Sequence, residues 1–150
     1  MPRLSRRSAL TLVISSSLAT PVTAVTPIAA TPAAAEVRSW PAAFHAHEMP
    51  VSGGTQYVRA GGHGPAVVLL HGFGDTCDMW VPLAAGLVKS HTVIVPDLRG
   101  MGLSSHPEGG YEKIAQARDL AAILDQLGTQ KVALVTHDIG NMVGRRRSFL

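Results

Sequence analysis

Three short runs that are almost wholly apolar lie in the middle of the chain, at residues 66–70, 92–95 and 132–135. A strand without polar alternation is typical of a parallel sheet that is covered by helices on both faces. Between these runs the apolar spacing becomes helical over residues 79–89 and 111–127, and Gly128 is well placed to end the second helix. Helices that cross between buried strands predict βαβ units.

An opening hairpin is predicted before the first buried run. Residues 47–51 and 55–60 flank Ser52-Gly53-Gly54, a turn that suits two antiparallel strands. We read residues 44–47 as a solvated lead-in, and Trp40, Met79 and Trp80 as packing residues. The predicted fold class is therefore α/β, with a doubly wound, mostly parallel sheet of five strands that an antiparallel hairpin opens.

The first 35 residues have the three regions of an export signal. Arg6 and Arg7 precede an apolar stretch over residues 9–19, and small-residue cleavage sites follow near Ala24 and Ala35. The paired arginines are typical of twin-arginine export. We predict an export signal at 1–35, a second region at 36–150, and a periplasmic or secreted product without a membrane anchor, since the apolar stretch is too short to span. The alternative is a disordered Ala/Thr/Pro tail.

The charge of the chain is concentrated at its ends. The whole chain has 13 Lys and Arg, 10 Asp and Glu, and a net charge of +3, but residues 36–144 hold seven Lys and Arg against ten Asp and Glu, a net of −3. No basic stripe lies within the predicted fold, which argues against nucleic acid as a partner. Cys77 is the one cysteine and is interpreted as a packing or surface residue. The spacing of the histidines predicts no metal site, and nothing indicates a cofactor.

Residues that follow the buried runs are the candidates for chemistry, because ligands of open parallel sheets bind at the carboxyl ends of the strands. The three segments there are His71-Gly72-Phe73-Gly74-Asp75, the run 97–104, and Thr136-His137-Asp138-Ile139-Gly140. The last places a potential nucleophile between a strand and a helix with a small residue two places on. That is the pattern of a nucleophile elbow.

Asp138 stands at the tip of this elbow. A carboxylate there can attack carbon and form an ester that activated water then hydrolyses, which suits epoxides and alkyl halides. The alternative interpretation is that Asp138 only caps the following helix. The presence of all three segments in strand order favours the nucleophile.

From these residues the chain resembles the α/β-hydrolase superfamily, and within it the branch of epoxide hydrolases and haloalkane dehalogenases, over residues 47–144. The resemblance implies an Asp138 nucleophile, an oxyanion hole made by the backbone N–H groups of Phe73 and Ile139, and a small electrophilic substrate such as an epoxide. It implies that His71, Gly72 and His137 surround the substrate, with His71 more a hydrogen-bonding support of its loop than a base. Residues 100–104 resemble the glycine-rich turn of epoxide hydrolases.

Three positions depart from the family patterns. Gly74 stands where epoxide hydrolases usually have Pro, and Thr136 stands where the elbow usually has Gly. Ile139 follows the nucleophile, where haloalkane dehalogenases usually have Trp and fluoroacetate dehalogenases usually have Arg. Because Ile has no side-chain donor for a departing halide, the epoxide interpretation is favoured.

In the family order the acid and the histidine come after the elbow. Residues 1–150 hold neither there, and Arg145, Arg146 and Arg147 replace the small residues expected in the elbow helix. We therefore expect an N-terminal half of a hydrolase domain, poorly soluble and without multiple turnover. The alternatives are a non-catalytic exported remnant or binding module, a haloalkane dehalogenase, and a serine esterase. The esterase is disfavoured because Ser104 and Ser105 follow the second buried run and no G-x-S-x-G occurs.

Overall fold

The sheet has five strands, all within residues 39–129 and 131–147, which are the residues that the computed structural model describes. The strands are β1 (Phe44–Val51), β2 (Gly54–Gly61), β3 (Ala66–Leu70), β4 (Thr92–Pro96) and β5 (Val132–Thr136). Their order is β1-β2-β4-β3-β5. The first two strands form the predicted antiparallel hairpin, β2 pairs antiparallel with β4, and β4, β3 and β5 are parallel. The predicted export signal lies outside the described residues.

Side chains of the strands alternate between the two faces of the sheet, and each face is covered by helices. The helices are α1 (Val81–Leu87), α2 (Lys113–Gln126) and α3 (Ile139–Arg147). On one face Val68 and Leu70 belong to a buried cluster that includes Leu120, Ile123, Leu124 and Val143. On the other face Val67 and Leu69 join Ala84 and Val88. The doubly wound α/β class and the three parallel strands are thus confirmed. No helix in the described ranges is both long and apolar enough to cross a membrane.

Three details of the predicted elements were wrong. Residues 44–47 are part of β1, because the Phe44 ring is buried and meets the Trp40 ring edge-on at 4.8 Å. The helix expected over 79–89 is split into a 3-10 turn (Cys77–Trp80) and α1, because Pro82 fits only the first turn of an α-helix. The strand β5 is only partly buried, since β3 is its one partner within the described sheet.

A buried ion pair ties the hairpin turn to α2. Arg99 donates from Nε and Nη2 to both carboxylate oxygens of Asp119, at 2.8 and 2.7 Å, and the two side chains are 7% and 1% exposed. The hydrogen bond to Asp119 raises the pKa of Arg99. Arg99 Nη2 also donates to the carbonyl oxygen of Ser52 in the β1–β2 turn at 2.5 Å. The segment after β4 is therefore held from two sides.

Asp119→Ala is expected to lower the free energy of unfolding by about 3 kcal/mol, because it leaves the Arg99 charge buried without its partner. Asp125→Ala, an exposed aspartate on the same helix, is the control and should change stability by less than about 0.5 kcal/mol. Urea denaturation followed by circular dichroism measures both. Equal midpoints for the two variants would show that the pair does not hold the fold.

Candidate active site

Two loops meet at the carboxyl ends of β3 and β5. These strands are parallel neighbours in which Leu70 lies opposite Thr136. The N–H of His137 donates to the Leu70 carbonyl oxygen at 2.9 Å, which extends the contact beyond the strands. The segments that follow the two strands therefore lie side by side. They contain all the predicted site residues, which are His71, Gly72, Phe73, His137, Asp138 and Ile139.

Asp138 occupies a strained turn between β5 and α3. Its φ is 47°, and it is the one non-glycine residue with positive φ in the described ranges. This left-handed conformation crowds the β-carbon and costs about 1–2 kcal/mol for an L-residue. Such strain at a candidate nucleophile is the feature that defines an elbow.

Gly140 allows the turn to be this sharp. A β-carbon on Gly140 would lie 2.6 Å from the carbonyl oxygen of Leu70 and 2.8 Å from that of His71. The start of α3 therefore approaches the backbone of β3 more closely than any side chain permits. The small residue two places after Asp138 is required by this contact.

The Asp138 carboxylate points at the neighbouring loop. Its Oδ2 accepts a hydrogen bond from the Phe73 N–H at 3.0 Å. Backbone hydrogen bonds from Phe73 and then Ile139 hold the pKa of Asp138 below its usual value, with small contributions from His137 and Lys113. The carboxyl group is exposed and stays ionised at neutral pH. Of the two N–H groups expected to form an oxyanion hole, that of Phe73 is hydrogen-bonded to this carboxylate.

Gly72 lies close to the elbow. A β-carbon there would lie 2.5 Å from His137 Nδ1 and 3.2 Å from the β-carbon of Asp138. A larger residue at this position would therefore have to displace the His137 ring. His137 is exposed beside it, within the reach of a ligand at Asp138.

His71 supports the loop from below. Its ring is fully buried, its Nδ1 lies 2.8 Å from the Gly72 carbonyl oxygen, and its Nε2 accepts from the Leu98 N–H at 2.8 Å. Because a carbonyl oxygen can only accept, the proton must be on Nδ1. Neither ring nitrogen remains for a ligand, so the expected substrate contact of His71 is wrong, whereas a structural role fits the geometry.

Gly74 stands at a position where epoxide hydrolases usually have Pro. Its φ is 76° and nothing lies within 4 Å of the position of a β-carbon. Proline cannot adopt that φ. The departure from the epoxide hydrolase pattern is therefore a change in loop conformation.

Asp97 organises the adjoining loop, and sequence reasoning did not assign it a role. It is 1% exposed and accepts from the N–H groups of Cys77 at 2.6 Å and Leu103 at 2.9 Å. The Ser104 hydroxyl donates to the Asp97 carbonyl oxygen at 2.7 Å and accepts from the Tyr57 N–H at 3.0 Å. The position of Asp97 directly after a buried strand was the available signal.

Other candidate nucleophiles are held in unreactive states. Ser104 is 2% exposed and its hydroxyl is fully used, which fits the low rank of the esterase interpretation. Burial, followed by the charge of Asp97, raises the pKa of Cys77 far above neutrality, so its thiol stays protonated. Of the Ser104, Cys77 and Asp138 side chains, only that of Asp138 is exposed, and it is ionised.

A pocket of about 290 Å³ lies beside the Phe73 loop, with Met101, Gly102 and His106 on its other wall. The Phe73 side chain is 76% exposed at its rim. Asp138 itself does not line this space. Within the described ranges, no three His, Cys, Asp or Glu side chains converge as metal ligands would.

Comparison with known proteins adds the family context. The sequence profile of a family described as having the alpha/beta hydrolase fold matches residues 65–146. A fluoroacetate dehalogenase from Burkholderia is 42% identical over 91 residues, covering 57% of this chain and 30% of that protein. A soluble epoxide hydrolase from Corynebacterium is 35% identical over 97 residues, covering 65% of this chain and 34% of that protein. The chain thus spans about a third of the length of these relatives.

Solved structures agree in fold. The crystal structure of an epoxide hydrolase from Vigna radiata superimposes with a TM-score of 0.65 at 33% identity, over 68% of this chain and 34% of that one. A putative epoxide hydrolase from Pseudomonas aeruginosa, solved as a mutant, gives a TM-score of 0.69 at 34% identity, over 73% and 37% of the two chains.

Two glycine-to-alanine substitutions should have opposite effects on stability. Gly140→Ala is expected to destabilise by about 1–3 kcal/mol, since its methyl group would overlap backbone atoms of β3. Gly86→Ala is the control, because Gly86 is helical with open space around it, and it should stabilise by about 0.5–1 kcal/mol. Denaturant titration measures both. A neutral Gly140→Ala would refute the close approach of α3 to β3.

The Asp138 carboxyl group should titrate below the ordinary aspartate pKa of about 3.9. A carboxyl whose pKa is lower in the folded chain stabilises the fold above its unfolded pKa, and that contribution is lost as the pH falls through the folded pKa. Carbon-13 NMR of labelled aspartate, with Asp138→Asn to assign the resonance, measures the midpoint. A midpoint at or above the ordinary value would mean that the Phe73 and Ile139 N–H groups do not favour the carboxylate.

Proposed function

Because the chain belongs to the α/β-hydrolase family, we propose that it carries the nucleophile and oxyanion hole of an epoxide-hydrolase-like site, with Asp138 as the attacking carboxylate. The observation that carries the proposal is the left-handed turn at Asp138 together with the Phe73 N–H on its Oδ2. A helix cap would turn its carboxylate toward the N–H groups of its own helix. Asp138 instead accepts a hydrogen bond from Phe73, which lies in the loop after β3.

We infer different roles for the two carboxylate oxygens of Asp138. Oδ2 is anchored at 3.0 Å by Phe73, which leaves Oδ1 to attack. An Oδ1–carbon bond forms as an epoxide carbon–oxygen bond breaks, and the resulting alkoxide takes a proton from water. Oδ2 becomes the ester carbonyl oxygen. The Phe73 N–H, which donates to Oδ2, would stabilise the negative charge that gathers there when water attacks the ester.

An epoxide is the substrate class that this site supports best. The Ile139 side chain offers no donor to a departing halide, whereas ring opening of an epoxide keeps the leaving oxygen within the same molecule. A haloacid is the second candidate, because the fluoroacetate dehalogenase is 42% identical over 91 residues. A small electrophile is common to both.

The ester is expected to persist in this 150-residue chain. None of its histidines follows Asp138, and the base that activates water belongs after the elbow in the family order. A single alkylation without turnover separates this proposal from the alternative of a non-catalytic binding module, which would not be alkylated at Asp138.

Incubation of the chain with styrene oxide should add one epoxide mass to Asp138, measured by intact mass spectrometry and peptide mapping. The reaction should persist at pH values below the ordinary aspartate pKa, because the nucleophile remains ionised there. Asp138→Asn should abolish the adduct, whereas Asp125→Asn, an exposed control, should retain it. Parallel reactions with fluoroacetate and a nitrophenyl ester test the competing substrate classes.

Adduct formation that survives in Asp138→Asn would place the nucleophile elsewhere. Steady release of diol by the 150-residue chain would contradict the arrest at the ester. Faster alkylation by the haloacid than by the epoxide would reverse the order of the two substrate classes.

A further inference from the structure

Arg59 on β2 has a charged group without a hydrogen-bond acceptor. Its Nε is buried and has no partner, and none of its nitrogens forms an ion pair or hydrogen bond within the described residues. The guanidinium lies 5.8 Å from the centre of the Trp40 ring and 5.4 Å from that of the Tyr57 ring. A buried donor of this kind calls for an explanation, because such groups are nearly always paired in folded proteins.

The Trp40 and Tyr57 rings restrain the Arg59 side chain. Cation–π contacts restrict the position of the guanidinium and take the place of part of its hydration. Trp40 is itself held, since its Nε1–H donates to Asp78 Oδ1 at 2.7 Å. The charged group of Arg59 is therefore restrained without any hydrogen-bond acceptor.

A pocket of about 360 Å³ adjoins Arg59, with Tyr57, Thr76 and Leu103 among its walls. Two carboxylates also line it, but both have donors of their own. Asp97 accepts from Cys77 and Leu103 N–H groups, and Asp78 accepts from the Trp40 indole. The donor groups left over include those of Arg59 and the Tyr57 hydroxyl, which has no hydrogen-bond partner among the described residues.

Burial raises the pKa of Tyr57, so its hydroxyl stays protonated and can donate at neutral pH. A fork of guanidinium N–H groups beside a hydroxyl donor matches the two oxygens of a carboxylate. We propose that this pocket binds the carboxylate group of a small molecule, with Arg59 as its main donor and Tyr57 as a second.

The pocket continues toward the candidate active site. Thr76 and Gly102 line both this pocket and the smaller one beside Phe73, and Phe73 donates to Asp138. The bound carboxylate therefore belongs either to the electrophile that Asp138 attacks or to a separate small acid. The first source rests on the proposed function, whereas the binding site itself does not.

Butyrate binding to the full 150-residue chain tests the site, with sodium chloride at matched ionic strength as the reference. Nitrogen-15 NMR should show a saturable shift of the Arg59 Nε–H and of the Trp40 indole N–H. Arg59→Met should weaken binding by about tenfold or more, because a charge-assisted bidentate contact is lost. Arg59→Lys should retain part of the affinity, and Arg118→Met, an exposed arginine on α2, should leave it unchanged.

Butylammonium is the opposite-charge probe, because Asp78 and Asp97 share the pocket. Saturable binding of butylammonium instead of butyrate would overturn the proposal. Butyrate that shifts neither the Arg59 nor the Trp40 resonances would also overturn it. This measurement needs only the wild-type chain, so it can be made even if Arg59→Met does not fold.

A longer epoxy acid, 6,7-epoxyheptanoate, and its methyl ester distinguish the two sources, with alkylation of Asp138 as the readout. If the electrophile supplies the carboxylate, the epoxy acid should react faster than the ester, and Arg59→Met should remove that advantage. If a separate acid binds, butyrate should still shift Arg59 while the two epoxides react alike. Absence of alkylation by either epoxide would count against the proposed function only, since butyrate binding is measured independently.

Discussion

The candidate site depends on one packing constraint, which is the close approach of α3 to the backbone of β3. Gly140 lies so near the carbonyl oxygens of Leu70 and His71 that a side chain has no room. That approach leaves only His137 and Asp138 to turn the chain from strand to helix, and Asp138 does so at a φ of 47°. The strain is sustained because β5 is in register with β3 and α3 is packed through Val143 into the core.

Backbone N–H donors then control the ionisation of Asp138. The Phe73 and Ile139 N–H groups favour the ionised form of Asp138 although the side chain is exposed to water. Burial acts differently on two neighbouring side chains. It raises the pKa of Cys77, which stays a thiol, and it leaves the Ser104 hydroxyl occupied by hydrogen bonds. In the proposed function, reactivity is therefore limited to the Asp138 carboxylate, while the residues around it position loops.

Features that depend on a local sequence pattern could be predicted, whereas features that depend on contacts between residues far apart in the chain could not. Apolar runs such as 66–70 identify two-faced strands, and a small residue two places after Asp138 indicates the elbow. The burial of Phe44 depends on Trp40 and the opposite sheet face, so a single aromatic in a polar stretch did not reveal it. The role of Asp97 needs the N–H of Cys77, 20 residues away. No sequence pattern singled out Arg59, because its contacts with the Trp40 and Tyr57 rings depend on the fold.

A crystal structure of the chain after reaction with an epoxide tests most directly whether the two Asp138 oxygens have different roles. We expect a covalent bond from Asp138 Oδ1 to carbon, with Oδ2 still within hydrogen-bonding distance of the Phe73 N–H and Gly140 still packed on β3. An adduct joined through Oδ2, or an Oδ2 that has left Phe73 and turned toward the N–H groups of α3, would contradict it.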